Sequence, residues 1–194
     1  DATLVEREFH AYEDSRRDHY ADCAACETNF RAWYRLQTGD YDAAAQIAAP
    51  LLEERESCAE VPHITFSIFC VPAKLAGDDR AHHFQIRGYE LIRNNRDFSM
   101  EVAEHLRFKL IDGEIDDGVT MLERHLPWVL DSLMDSRQLE FYDAAAHLLE
   151  HVEVRDVTIR AEGLPDAVEG RADLETLRQF CAEKAVLIAR AFDE

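Results

Sequence analysis

The stretch Arg35-Leu-Gln-Thr-Gly-Asp-Tyr-Asp-Ala-Ala-Ala45 reads as a helix end, a tight turn and a new helix start. Gly39 supplies the backbone freedom needed just past a helix terminus, and Asp40 can cap the following helix through its carboxylate. The run Ala43 to Ala45 lets two helices approach closely, so the unit is a helical hairpin. The same order of signals returns at Leu75-Ala-Gly-Asp-Asp-Arg-Ala81 and at Ile111-Asp-Gly-Glu-Ile-Asp-Asp-Gly118, each flanked by helical periodicity. The small residues Ala44, Ala81 and Gly118 fall at steps of 37 residues. A fixed period of that size predicts stacked helical pairs, with Gly39, Gly77 and Gly113 at three equivalent corners.

The segment Gly39-Asp-Tyr-Asp-Ala-Ala44 resembles the turn of a tetratricopeptide repeat. That family pairs a helix A with a helix B in about 34 residues and stacks the pairs into a superhelix. The resemblance runs from about residue 20 to about residue 130, with a step longer than the family's. It implies an all-α fold, an α-α superhelix of about three hairpins, over residues 1–135. Residues 136–194 are then expected to cap the same domain, since terminal elements of a repeat array must cover an otherwise exposed apolar end. The resemblance also implies that the A helices line a concave groove, near Asn29, Trp33, Phe66 and Arg107. Trp33 and Phe66 are equally readable as core side chains.

Composition narrows the function classes. The 194 residues include 40 acidic and 21 basic side chains, a formal charge of −19. Such a surface repels phosphate backbones and anionic lipid headgroups, which argues against nucleic acid and membrane partners. It is either a plain solvated surface or a field that favours basic protein segments. Seven glycines and five prolines leave little room for the turns of an all-β fold. No run approaches the length of a membrane span. Five cysteines in a chain with a sizeable core point to a reducing cytoplasm rather than a disulfide framework. The first residue is Asp1, which reads as a fragment of a longer protein or a processed product.

Taken in order, Leu4 to Leu36 contains no helix breaker except the polar run Glu13 to Asp18, and His19, Cys23, Cys26, Phe30 and Trp33 are spaced to share one helical face. Helices are predicted over 43–55, 63–75, 79–94, 100–111 and 116–125, with Pro127 ending that regularity before a short apolar helix at Trp128 to Met134. A strong helix over 137–151 follows. The segment Val152 to Ile159 alternates in the manner of a short strand, although a lone strand lacks a partner. A helix over 173–192 closes the chain.

The sharpest chemical constellation is Cys23, Cys26, Cys58 and His63, with His19 beside it. Cys23 and Cys26 stand one helical turn apart, and the inter-repeat loop brings Cys58 or His63 alongside, as four ligands to a structural zinc require. Packed or free thiols and a redox pair are the alternatives. No HExxH, GxSxG, Walker or dinucleotide-binding pattern is present. The expected function is a non-catalytic scaffold that binds a protein or peptide, preferentially a basic one. The alternative is a metal-dependent or thiol enzyme using Cys23, Cys26, Cys58 and His63.

Overall fold

Three helix ends in the chain are closed in the same way. In the computed structural model, which describes residues 2–153 and 158–193, Gly39, Gly77 and Gly113 have φ of 80°, 74° and 78°. At each, the glycine N–H donates to the carbonyl three residues back: Leu36 at 3.0 Å, Lys74 at 3.2 Å and Leu110 at 3.2 Å. The following acidic residue donates its N–H five residues back, Asp40 to Arg35, Asp78 to Ala73 and Glu114 to Lys109, each at 2.9 Å. This pair of bonds satisfies carbonyls that a helix terminus otherwise leaves open, and only the left-handed residue makes the pair fit.

These corners join α2 (Ala24–Gln37) to α3 (Tyr41–Leu52), α4 (His63–Ala76) to α5 (Ala81–Ile92), and α6 (Ser99–Asp112) to α7 (Ile115–Leu130). The two helices of each pair pack on one another, and α4 packs on α6, as α6 does on α8 (Asp135–Glu150). Polar links span about one period. Tyr41 donates to Asp78 Oδ2 at 2.6 Å, 37 residues on. Lys74 pairs with Asp112, 38 residues on, and Thr65 Oγ1 donates to Asn29 Oδ1 at 2.7 Å, 36 residues back. The protein is therefore mainly helical, with its helix pairs in contact in chain order.

Several boundaries depart from expectation for identifiable reasons. The polar run does break the first helix: α1 (Ala2–Glu13) stops at Glu13, and α2 begins only after Cys23. Cys23 is the N-cap of α2, with extended backbone, and His19 lies in the preceding turn, its ring 3.9 Å from that of Tyr20. The five residues thus do not share one helical face. Helix α7 runs through Pro127 to Leu130, because burial of Leu126 and Val129 outweighs the one backbone bond that proline removes. No separate helix covers Trp128 to Met134. Of the expected strand, Thr158–Arg160 (β1) is extended, and 154–157 lie outside the described residues. Its partner is β2 (Arg171–Asp173), antiparallel, with Ile159 opposite Ala172, both buried. The last helix, α9 (Leu174–Asp193), lies against α8.

The interior is shared along the chain. One apolar cluster joins α2 to α6 through Ala32, Ala44, Phe66, Phe69, Phe84 and Phe108; another joins α5 to α9 through Leu106, Leu122, Phe141, Leu148 and Leu177. Two histidines sit within it. Ser67 Oγ lies 3.1 Å from the carbonyl of His63 and 3.0 Å from Nε2 of His105. Nδ1 of His105 is buried without a partner. Burial, with His125 and Lys109 nearby, holds His105 down to about 3. His125 meets the Tyr89 hydroxyl at 3.0 Å, and burial holds it down to about 4.

Two glycines sit equally close to their neighbours, Gly88 on α5 and Gly118 on α7. A Cβ on Gly88 would lie 2.8 Å from Cβ of Phe66 and 3.0 Å from Cε1 of His105, neither of which can swing away. At Gly118 the corresponding contacts, at 2.8 and 3.0 Å, are with the two methyls of Leu148, the far end of a side chain rather than a Cβ fixed to its backbone. Gly88→Ala is expected to destabilise the fold by roughly 1–3 kcal/mol in urea unfolding, and Gly118→Ala by clearly less; equal losses would mean that α5 does not press on Phe66 and His105 as described.

Candidate functional site

Two places on the molecule bring functional side chains together. The first is a groove of about 550 Å³ along one face of α2, α4, α6 and α8. Helix α2 contributes Asn29, Phe30, Trp33 and Gln37, α4 contributes Ile64 and Ile68, α6 contributes Met100, Glu101 and Glu104, and α8 contributes Glu140. Residues separated by four on a helix lie on one side of it, so each helix presents a narrow stripe. Phe30 and Trp33 stack at 5.9 Å and are each 41% exposed, which is high for the two largest apolar side chains of the stripe. Phe30 also meets Tyr12 of α1 edge-on at 5.1 Å.

The expected groove residues separate into three cases. Asn29 and Trp33 line the groove. Phe66 does not: it is fully buried, with Phe84 and the edge of His83 against it. The groove positions of α4 are Ile64 and Ile68; Phe66 lies two residues from each, which at about 100° per residue turns its side chain away from them and into the core. Thr65, also buried, is the α4 residue that meets Asn29. Arg107 sits at the groove's edge with its guanidinium already committed, to Glu104 at 2.7 Å, Glu140 at 2.7 Å and Asp143 at 3.0 Å. Burial opposes its charge, but the three carboxylates more than compensate and raise its pKa.

Glu101 was not singled out by sequence reasoning. It is the third residue of α6, only 6% exposed, and it lines the groove. A signal existed: the step from Asn29 to Thr65, repeated once, lands on Glu101. Burial raises its pKa; its own backbone N–H and Arg137 oppose the rise, and Glu60 and Glu104 add to it. Glu104 is likewise raised by burial, against Arg107. An acid whose folded pKa is raised binds its proton more tightly folded than unfolded. Its carboxylate therefore costs stability above the folded pKa, and the cost vanishes as pH falls through it. Glu101→Gln is accordingly expected to stabilise the protein at pH 7–8, by on the order of 1 kcal/mol, with the gain shrinking towards zero near pH 4; a loss of stability at pH 8 in denaturant titrations would contradict this placement of Glu101.

The second place is a cluster of thiols. Cys23, at the start of α2, Cys26, in its first turn, and Cys58, in the loop between α3 and α4, have sulfurs within 4.8 Å of one another. Cys26 Sγ and Cys58 Sγ are 3.5 Å apart, and all three are free thiols. Two sulfurs on one tetrahedral zinc lie about 3.8 Å apart, given bonds of about 2.3 Å. The sulfurs are also met by backbone donors: Cys26 N–H points to Cys23 Sγ at 3.4 Å and Glu60 N–H to Cys58 Sγ at 3.5 Å. The first of these lowers the Cys23 pKa, whereas burial, with the neighbouring thiols, raises that of Cys26. The donor set therefore suits a metal ion.

His63, expected as a fourth ligand, is not part of the cluster. Its ring stacks on Phe98, 5.2 Å away and nearly parallel, and Nδ1 is buried without a partner. Burial foremost, then the nearby Arg87 guanidinium, lower its pKa. As the first residue of α4, it is turned by the helix towards the next pair, while Cys58 stays in the loop behind it.

Comparison of the chain with protein-family models, with curated proteins and with solved structures finds no match. No helix among the described residues is long and apolar enough to cross a membrane.

Proposed function

We propose that this protein is a non-catalytic scaffold of tetratricopeptide-like helix pairs, stacked as a superhelix, whose α2–α4–α6–α8 groove holds an extended, basic segment of a protein or peptide. The observation that carries this is the make-up of the groove: the exposed Phe30, Trp33 and Met100 and the partly buried Ile64 and Ile68, beside the carboxylates Glu101, Glu104 and Glu140. Apolar anchors supply affinity at an interface, and surrounding charge selects the partner and its orientation. Four separate helices contribute to one surface, so the groove is presented rigidly and costs little ordering on binding. The net charge of −19 adds a long-range attraction for cationic chains.

Trp33 is the natural anchor, being large, aromatic and 41% exposed. Trp33→Ala is expected to weaken binding to a captured partner, or to a basic peptide selected from a random display library, by at least tenfold, with little change in melting temperature. Calorimetric titration together with a thermal melt separates the two effects. Unchanged affinity in a folded variant would remove the groove from consideration.

The thiol cluster supports a second, structural element of the same proposal. Cys23, Cys26 and Cys58 would hold a zinc ion that ties the start of α2 to the loop before α4, and so the first helix pair to the second. Zinc would supply a fixed tetrahedral centre there, with its fourth ligand from outside the three cysteines. Free thiols at this separation fit a reducing compartment such as the cytoplasm. Protein purified without chelator is expected to carry about one zinc per chain by elemental analysis, and Cys58→Ser to lose the metal and melt several degrees lower. Wild-type protein that takes up no zinc when titrated under reducing conditions would exclude the site.

A further inference from the structure

Glu101 lies in the groove with its charge unmatched. Glu104 and Glu140, the other two carboxylates there, are both ion-paired to Arg107. Glu101 makes no ion pair and no hydrogen bond to another residue among those described, and its only close donor is its own backbone N–H. Arg137 on α8 acts on it electrostatically without closing an ion pair. At 6% exposure this is a severe position for a carboxylate, since buried charges are ordinarily paired. As an acid in the first turn of α6, Glu101 faces the positive end of the helix, but no side-chain cation closes on it. What the position does have is an opening, for Glu101 is one of the side chains that line the groove.

The exposed Phe30 and Trp33 line the same groove. An aromatic pair beside an acid is a surface that takes a long cationic side chain, with the aliphatic stem along the rings and the charged head on the carboxylate. We propose that the segment held in the groove is anchored by one lysine or arginine side chain, whose cation pairs with Glu101 and whose stem lies against Phe30 and Trp33. This rests on the groove being a peptide-binding surface and adds the side chain that it selects. The ligand's charge takes the place that Arg107 fills for Glu104 and Glu140.

The test uses the full chain, immobilised, and two pools of random decapeptides built without lysine, arginine or histidine except at the centre. One pool has lysine fixed there, the other norleucine, which keeps the stem and lacks the charge. Wild type is expected to retain the lysine pool about tenfold more than the norleucine pool, the discrimination of one good ion pair at a shielded site. Glu101→Gln, which keeps the shape and removes the charge, is expected to retain the two pools equally, and Trp33→Ala to lose both; thermal melts confirm that each variant is folded. Equal retention of the pools by wild type, or a lysine preference that survives Glu101→Gln, overturns the anchor. If that equal retention is abolished by Trp33→Ala, the groove stands as a peptide site and the anchor alone falls. Retention of neither pool, or retention indifferent to Trp33→Ala, overturns both.

Discussion

The architecture depends on a backbone event only two residues long. At Gly39, Gly77 and Gly113 the chain enters the left-handed region, and two hydrogen bonds fold the last turn of a helix back on itself. A side chain at that position carries a steric penalty that glycine avoids. The acidic residue that follows closes the longer of the two bonds; Asp40 and Glu114 are also the N-caps of the next helices, while Asp78 stands two residues before that position. After these corners α4 packs on α6 and α6 on α8, with α2 touching α4. The groove follows from those contacts, since its lining comes from α2, α4, α6 and α8.

The second helices do different work. On α5, Gly88 brings the backbone down onto Phe66 and His105, and Tyr89 carries a hydroxyl to His125. The result is an interior in which phenylalanines and alanines pack closely and two neutral histidines are held by one hydrogen bond each. Their low proton affinity follows from that enclosure: a positive charge there would lose its water and find no carboxylate in exchange. The packing that makes these pairs cohere is thus also what keeps Phe66 out of the groove.

Charge is distributed with some economy across the opposite face. Arg107 draws Glu104, Glu140 and Asp143 together and offsets much of their repulsion, while Asp112 at the end of α6 takes both Lys74 and His82. In a chain with 40 acidic residues, a carboxylate left without such a partner is informative chiefly when it is also buried, because solvent alone accounts for exposed ones. Glu101 meets that condition. The three cysteines show a comparable convergence of unlike elements, the head of one helix and a loop 32 residues away.

Local signals determined the corners, the helical content and the approximate span of most helices. A glycine followed by an acid, or an apolar period of 3.6, acts within a few residues and can be read from them. The proximity of Cys58 to Cys23 and Cys26 could be anticipated in the same way, from the loop that the corners required. Tertiary structure decided everything that turns on rotation about a helix axis or on which neighbour arrives. On α4 the groove positions went to Ile64 and Ile68, and Phe66 turned into the core. His63 left the cysteines for Phe98 because the first turn of α4 faces the next pair. Pro127 stayed inside α7 because Leu126 and Val129 had a core to enter, and β1 found a partner only when the chain returned at Arg171. In each case the deciding energy comes from residues far away in the chain, and a local pattern carries no record of them.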